Sequence, residues 1–227
     1  MFNRRSLLLV GAAAAGATMC GCGAKAAAVM LPAPAKDETG SGVEKAVFAG
    51  GCFWGVQAVF ARLKGVTSAV SGYCGGQAAT AHYEVVGSGV TGHAESVQVT
   101  FDPKEVSFGK LLQVFFSVAT DPTQLNEQFP DQGTQYRNEI WCANADQMAV
   151  AKAYIAQLDA ARVYKRPIVT LVSNGKPFYP AEDYHQDYLL NHPSQPYIAT
   201  YDQPKVRDLK AAFPQMFRDK PLRVLPA

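Results

Sequence analysis

The sequence carries no strong charge of either sign. Its 21 Lys and Arg stand against 19 Asp and Glu for a formal net charge of +2, and no basic run is longer than Arg4-Arg5. That balance excludes a chain built to hold nucleic acid, or to coat an acidic membrane by charge alone. A disulfide framework is missing as well, because the five cysteines (Cys20, Cys22, Cys52, Cys74 and Cys142) are odd in number and irregularly spaced. No internal repeat appears. What remains is an ordinary globular composition, 48% hydrophobic and 18% charged, over 227 residues. That is room for one sizeable domain and an extension.

The amino-terminal residues read as an address. Arg4-Arg5 precedes an uncharged, Ala- and Gly-rich stretch over residues 6–19, a positive n-region followed by an h-region. The stretch falls short of the roughly 20 apolar residues that span a bilayer as a helix. The paired arginines resemble a twin-arginine export signal. Two endings stay open: lipidation at Cys22, in Met19-Cys20-Gly21-Cys22, or simple release at Ala24-Lys25-Ala26. Cys20 and Cys22 as a metal pair lack third and fourth ligands nearby. Residues 1–23 are thus expected to be an export signal, residues 24–43 a flexible linker with no core to bury, residues 44–217 the folded domain and residues 218–227 a tail. The protein is expected in the periplasm, or on a lipid anchor facing it.

Hydrophobic period and turn residues place the elements. Residues 45–49 make a strand closed by Gly50-Gly51, and Val56, Val59, Phe60 and Leu63 set a helix over 53–63. Further strands are predicted over 66–73, 83–86, 95–101, 138–142 and 167–173. Helices are predicted around 108–115 and over 146–161, 181–191 and 205–213. Interleaved helices and locally pairing strands favour a two-layer α/β sandwich with a mixed sheet.

The central signal is Gly50-Gly51-Cys52-Phe53-Trp54-Gly55. Cys52 falls where a strand ends and a helix begins, and unpaired N–H groups at a helix start favour a thiolate. Bringing a thiol from about 8.5 to about 7 ionises half of it at neutral pH, for about 2 kcal/mol. Two glycines before it let the backbone bend and a substrate approach. The competing reading is a buried, inert structural thiol. Phe53 and Trp54 are either ordinary core or a pocket for a small apolar group. Gly87 to Gly92 spells G-x-G-x-x-G, but the alternation of Val97, Val99 and Phe101 after it is a strand, so a dinucleotide site is rejected.

Gly51-Cys52-Phe53-Trp54-Gly55 resembles the signature of the A-type peptide-methionine sulfoxide reductases. Three further segments agree in order and spacing: Gly92-His93-Ala94-Glu95, Asp131 to Arg137, and Tyr184-His185-Gln186-Asp187-Tyr188. The likeness runs from Lys45 to Pro214. It implies a ferredoxin-like core and a peptide-methionine (S)-S-oxide reductase, a repair enzyme for oxidised proteins, peptides and free methionine sulfoxide. Cys52 would attack the sulfoxide sulfur and become a sulfenic acid. Glu95 would be the proton donor, its pKa raised by an apolar pocket and coupled to that of Cys52. Tyr83 and Tyr136 would hydrogen-bond the sulfoxide oxygen, Asp131 would order the site, and Phe53 and Trp54 would seat the S-methyl group. No cofactor and no metal are implied, the chain is expected to act as a monomer, and a thioredoxin-like donor would supply electrons.

Taken singly, these residues have plainer readings. Glu95 could be a solvated carboxylate, Tyr83 and Tyr136 rim aromatics, and Asp131 a turn residue. His93 and His185 are left out of the catalytic set as structural polar residues. The sequence also departs from the family pattern, since no cysteine follows Cys142 to serve as a carboxy-terminal resolving thiol. Cys74, in Gly72-Tyr73-Cys74-Gly75-Gly76, is the leading internal candidate for resolving, Cys142 is the other, and an external thiol is the alternative. A cysteine peroxidase, a cysteine hydrolase using His93 or His185, and an exported binding module with an inert Cys52 are the rival readings.

Overall fold

The computed structural model describes residues 30–38, 40 and 42–226. The proposed export signal, with Cys20 and Cys22, lies outside them. Within them no helix is long and apolar enough to cross a membrane.

The first strand, β1 (Glu44–Gly50), leads through Gly51 and Cys52 into α1 (Phe53–Phe60), and the chain returns as β2 (Val66–Cys74). A short helix, α2 (Tyr83–Val86), precedes β3 (Ala94–Phe101) and α3 (Phe108–Val114). A two-stranded ribbon follows, β4 (Glu127–Gln128) and β5 (Asp131–Gln132). Then come β6 (Asn138–Cys142), α4 (Ala145–Ala160), β7 (Leu171–Asn174), β8 (Phe178–Pro180), α5 (Tyr188–Asn191) and α6 (Gln203–Ala212). The main sheet runs β7-β6-β1-β3-β2-β8, with only β6 and β7 parallel. Its four inner strands, with α1 after β1 and α3 between β3 and β6, follow the β-α-β-β-α-β order expected of a ferredoxin-like core.

Alternation along the strands explains the two layers. Ala46 and Phe48 of β1, Val97, Val99 and Phe101 of β3, and Ile140 of β6 face α1, α3, α4 and α6 in one large buried cluster. Their neighbours Val47, Ala49, Cys74, Ala94 and Trp141 form a smaller cluster on the other face. Phe48 is the hub of the first, with Phe60 at 4.8 Å and Phe115 at 5.2 Å between ring centres.

Three expectations change. Residues 83–86 are a helix, not a strand, because the outer edge of β2 is already taken by β8, which pairs Gly72 with Pro180 and Cys74 with Phe178. The long helix expected over 181–191 breaks into a 3-10 turn (Asp183–His185) and α5, because Asp187 adopts φ 56°. The strand expected from residue 167 begins only at Leu171.

The linker and the tail are also bound to the domain where they are described. Leu31 belongs to the main core, its N–H donates to Ser117 Oγ at 3.1 Å, and Tyr154 Oη donates to the Pro32 carbonyl at 2.8 Å. Asp37 accepts from the Gly109 N–H at 2.8 Å and from Ser107 Oγ, which closes the start of α3. Low apolar content hid this attachment, since it is made mostly through backbone groups. Beyond residue 217, the Leu222 N–H reaches the Ala61 carbonyl, and the Val224 and Leu225 N–H groups share Asp187 Oδ2.

Candidate active site

Cys52 is the N-cap of α1, at the junction the sequence predicts. Gly51 before it has φ 87°, and the Gln128 side chain packs where a Cβ would stand, so no other residue fits there without strain. The thiol is only 7% exposed, yet it lines a cleft of about 750 Å³ together with Asp131, Tyr197 and Lys205.

Glu95 reaches the same helix start from β3. Its side chain is on the face shared with Val97 and Val99, and Oε2 accepts the Phe53 N–H at 3.0 Å. Burial pushes its carboxyl up to about 8, against the Phe53 N–H that favours the charged form, while Asp131 and Asp202 push it further. One oxygen is held by the helix and the acid keeps its proton at neutral pH, as a general acid requires.

The expectation for Cys52 itself is reversed. Burial pushes the thiol well above the ordinary range, Asp202 and, once ionised, Glu95 act in the same direction, and Lys205 and the Trp54 N–H act against them. The magnitudes say why. A helix terminus supplies at most about 2 kcal/mol to a charge, and a thiolate stripped of water over its whole surface loses more than that. The resting pair is therefore a thiol beside a carboxylic acid.

Tyr83 and Tyr136 stand around these two groups. Burial first, then Glu95 and Cys52, push the Tyr83 hydroxyl up to about 12, and burial, Glu95, Asp131, Tyr83 and Cys52 raise that of Tyr136. Both stay protonated and can donate. Asp131, at the start of β5, accepts a hydrogen bond from Tyr197 Oη. Trp54 stacks on Tyr188 at 3.9 Å and 10°, meets the edge of Tyr197 at 6.0 Å, and donates from Nε1 to His185 Nδ1 at 3.1 Å. Phe53 is sealed, 1% exposed, between Tyr73 and His185.

The structure thus gathers Cys52, Glu95, Tyr83, Tyr136, Asp131, Phe53 and Trp54 around one helix start. Cys74 is not among them. It pairs with Ala94, one residue out of phase with Glu95, so its thiol lies on the opposite face of the sheet, buried and pushed up to about 12 by that burial. Cys142 pairs with Ala46, at the other end of β1 from Cys52. Both histidines serve structure: His93 is bonded to Gly76 and Gln77, and His185 to Trp54.

Four neighbours escaped the sequence reading. Tyr197, Asp202 and Lys205 are brought in by the carboxy-terminal turn, and Glu182 accepts from the Tyr83 N–H at 3.0 Å and from Tyr73 Oη at 2.8 Å. Burial works against the Glu182 carboxylate, but those donors hold it below the usual range. Only Asp202-Gln203-Pro204-Lys205, an acid and a base one turn apart with proline at a helix start, carried a local signal.

Comparison with known proteins agrees with this geometry. The family model described as peptide methionine sulfoxide reductase matches residues 44–216. A peptide methionine sulfoxide reductase MsrA of Mesorhizobium japonicum is 56% identical over 191 residues, 84% of this chain and 98% of the relative. One from Synechocystis is 47% identical, covering 84% of this chain and 90% of the relative. Among solved structures, the reduced form of Mxr1 from Saccharomyces cerevisiae superposes with a TM-score of 0.61 at 29% identity, over 71% of this chain and 92% of that one. Methionine sulfoxide reductase A of Corynebacterium diphtheriae gives 0.57 at 32% identity, over 76% and 88%. From its first strand to the turn after its last helix, this chain belongs to the peptide methionine sulfoxide reductase family.

Proposed function

We propose that the protein reduces the S-configured sulfoxide of methionine, in oxidised proteins and peptides and as the free amino acid, through a sulfenic acid on Cys52. The observation that carries this reading is the Glu95 carboxyl, protonated at neutral pH and fixed at 3.0 Å on the first N–H after Cys52. Attack of the Cys52 sulfur on the sulfoxide sulfur drives charge onto oxygen. Glu95 gives that oxygen its proton, and the neutral hydroxyls of Tyr83 and Tyr136 donate to it. The thiol proton passes to solvent water in the cleft as the S–S contact forms, and the Glu95 carboxylate regains a proton from water before the next turnover. The hydroxyl then passes to the Cys52 sulfur, which releases methionine and leaves Cys52 as a sulfenic acid and Glu95 as a carboxylate. Trp54, held flat by Tyr188 and His185, supports an apolar seat for the S-methyl group with Phe53 behind it. Asp131 acts through Tyr197 and the local field.

Regeneration needs two thiols. The first condenses with the sulfenic acid and expels water, and the second takes the mixed disulfide and returns Cys52 as a thiol. With Cys74 on the far face, a dithiol donor of thioredoxin type is the reading favoured here. Export to the periplasm, or to a lipid anchor facing it, is supported by Arg4-Arg5 and the uncharged residues 6–19.

The experiment is turnover of a methionine sulfoxide peptide with a chemical dithiol. The wild type releases methionine and Cys52→Ser releases none. Retained activity in that variant, or a faster reaction with peroxide than with sulfoxide, overturns the reading in favour of a cysteine peroxidase.

A further inference from the structure

Two charged residues stand over the first turn of α1 without a part in these steps. Asp202 is fully buried at the end of a π-turn (Ile198–Asp202), and Lys205, in α6, donates to Asp202 Oδ1 at 3.2 Å with 15% of its side chain exposed. The pair fills the space that a side chain on Gly55 would need: a Cβ there would collide with Asp202 Oδ1 and lie 3.0 Å from Lys205 Nζ. Gly55 is the third residue of α1, one turn from Cys52. The last glycine of the Cys52 signature is therefore the floor of an ion pair, and that floor adjoins the thiol.

Four observations tie the pair to Cys52 and not to the fold alone. Lys205 and Cys52 line the same cleft. An ammonium has three donors, and Asp202 accepts one of them. The second oxygen of Asp202 is buried with no hydrogen-bond partner among the described residues, an arrangement that an ion pair serving stability alone does not need. After burial, Asp202 is the group that most disfavours a charged Cys52, and Lys205 is the cation that favours it.

We propose that Asp202 and Lys205 form a positioning device for the Cys52 charge, in which Asp202 fixes the ammonium beside the thiol and the ammonium holds the thiolate as it forms. The thiolate needs this support twice: when the thiol proton leaves during attack on the sulfoxide, and when the donor's second thiol expels Cys52 from the mixed disulfide. The other titratable groups facing the thiol are Glu95 from β3, Tyr83 from α2, Tyr136 from the 3-10 turn (Thr134–Tyr136), and Tyr197, while Asp131 and Asp208 share the cleft with Lys205. Lys165, Arg166 and Asp121 also line that cleft, and of its cations Lys205 is the one that acts on the Cys52 charge. The inference rests on Cys52 being the nucleophile.

The test is the pH profile of Cys52 alkylation by iodoacetamide in the full chain, with the site of modification read by mass spectrometry. Lys205→Met shifts the profile to higher pH and slows alkylation at neutral pH about tenfold, the effect of one pKa unit. Asp202→Asn shifts it to lower pH and speeds alkylation, and Lys205→Arg restores most of the wild-type rate. Opposite signs are the signature, because a purely structural pair would move both variants the same way or neither. Should Lys205→Met fail to fold by circular dichroism, Lys205→Met is added to Asp202→Asn, which leaves no lone charge buried; the double variant reacts more slowly than Asp202→Asn. Coincident profiles, or shifts of the same sign, overturn the proposal. Absence of sulfoxide turnover in the wild type would instead sink the enzymatic reading and leave the charge device standing.

Discussion

Glu95 accepts the Phe53 N–H at 3.0 Å, which joins the carboxyl on β3 to the residue that follows Cys52, across 42 positions of sequence. That bond sets the position of the carboxyl, and burial, working against the bond, sets its proton state. Because burial lifts the acid up to about 8, turnover of a sulfoxide peptide should fall as pH rises through that value. In Glu95→Gln the rate should drop by roughly 10²–10⁴ and the alkaline limb should vanish. An unchanged limb in the variant would assign it to another group.

The same acid should destabilise the fold. The folded protein keeps the Glu95 proton to about pH 8, while an unfolded carboxyl releases it near about 4.3, so stability falls as pH rises between those values. Glu95→Gln removes that penalty. Urea denaturation should find the variant more stable at pH 7, by about 3–4 kcal/mol, and indistinguishable at pH 4. A variant less stable than wild type at pH 7 would mean that the Phe53 bond outweighs desolvation.

Gly55→Ala should unsettle the Asp202–Lys205 pair, since the new methyl group collides with Asp202 Oδ1 inside a sealed site. Overpacking of this kind costs about 1–3 kcal/mol, readable as a lowered midpoint in thermal unfolding. A neutral result would show that Asp202 can swing clear.

His185 holds the Trp54 indole by its Nδ1 and packs on Tyr83 at 4.3 Å. His185→Ala should raise KM for the peptide by about tenfold, the worth of one hydrogen bond and one aromatic contact, with a much smaller change in kcat. A collapse of kcat at unchanged KM would make His185 a participant in the chemistry.

Cys74→Ala should leave turnover with an external dithiol intact, because that thiol is fully buried on the far face of the sheet. Loss of dithiol-driven turnover in this variant, or a Cys52–Cys74 disulfide in the wild type after one methionine per enzyme, would restore Cys74 as the resolving thiol.

Removing the segment over 30–38 should weaken the domain. Burial of Leu31 contributes about 1.5–3 kcal/mol, and Asp37 at the start of α3 about 1 kcal/mol. A chain beginning at residue 42 should unfold at lower urea than one beginning at residue 30. Equal midpoints would return the segment to the status of a linker.

Local pattern made much of this readable. Alternation at Val97, Val99 and Phe101 marks β3, and helical spacing at Val56, Val59 and Phe60 marks α1. The glycines at 50 and 51 locate the junction that places Cys52 at the start of α1. Edges were harder, because β8 is three residues long and exists only because β2 offers it an unpaired side. Likewise residues 83–86 have a strand's composition and no strand to pair with.

By itself, the sequence determined the larger strands and helices in their order and singled out Cys52, because hydrophobic period and glycine punctuation are written locally, while Glu95 stood out only through the resemblance of its motif. Tertiary structure alone decided the charge states and the neighbours. Desolvation and long-range Coulomb terms belong to no segment, so the helix start that should ionise Cys52 is overruled by burial. Tyr197, Asp202 and Lys205 reach the thiol only because the last turns fold back over α1, and Cys74 is turned away from it by a one-residue phase in β2.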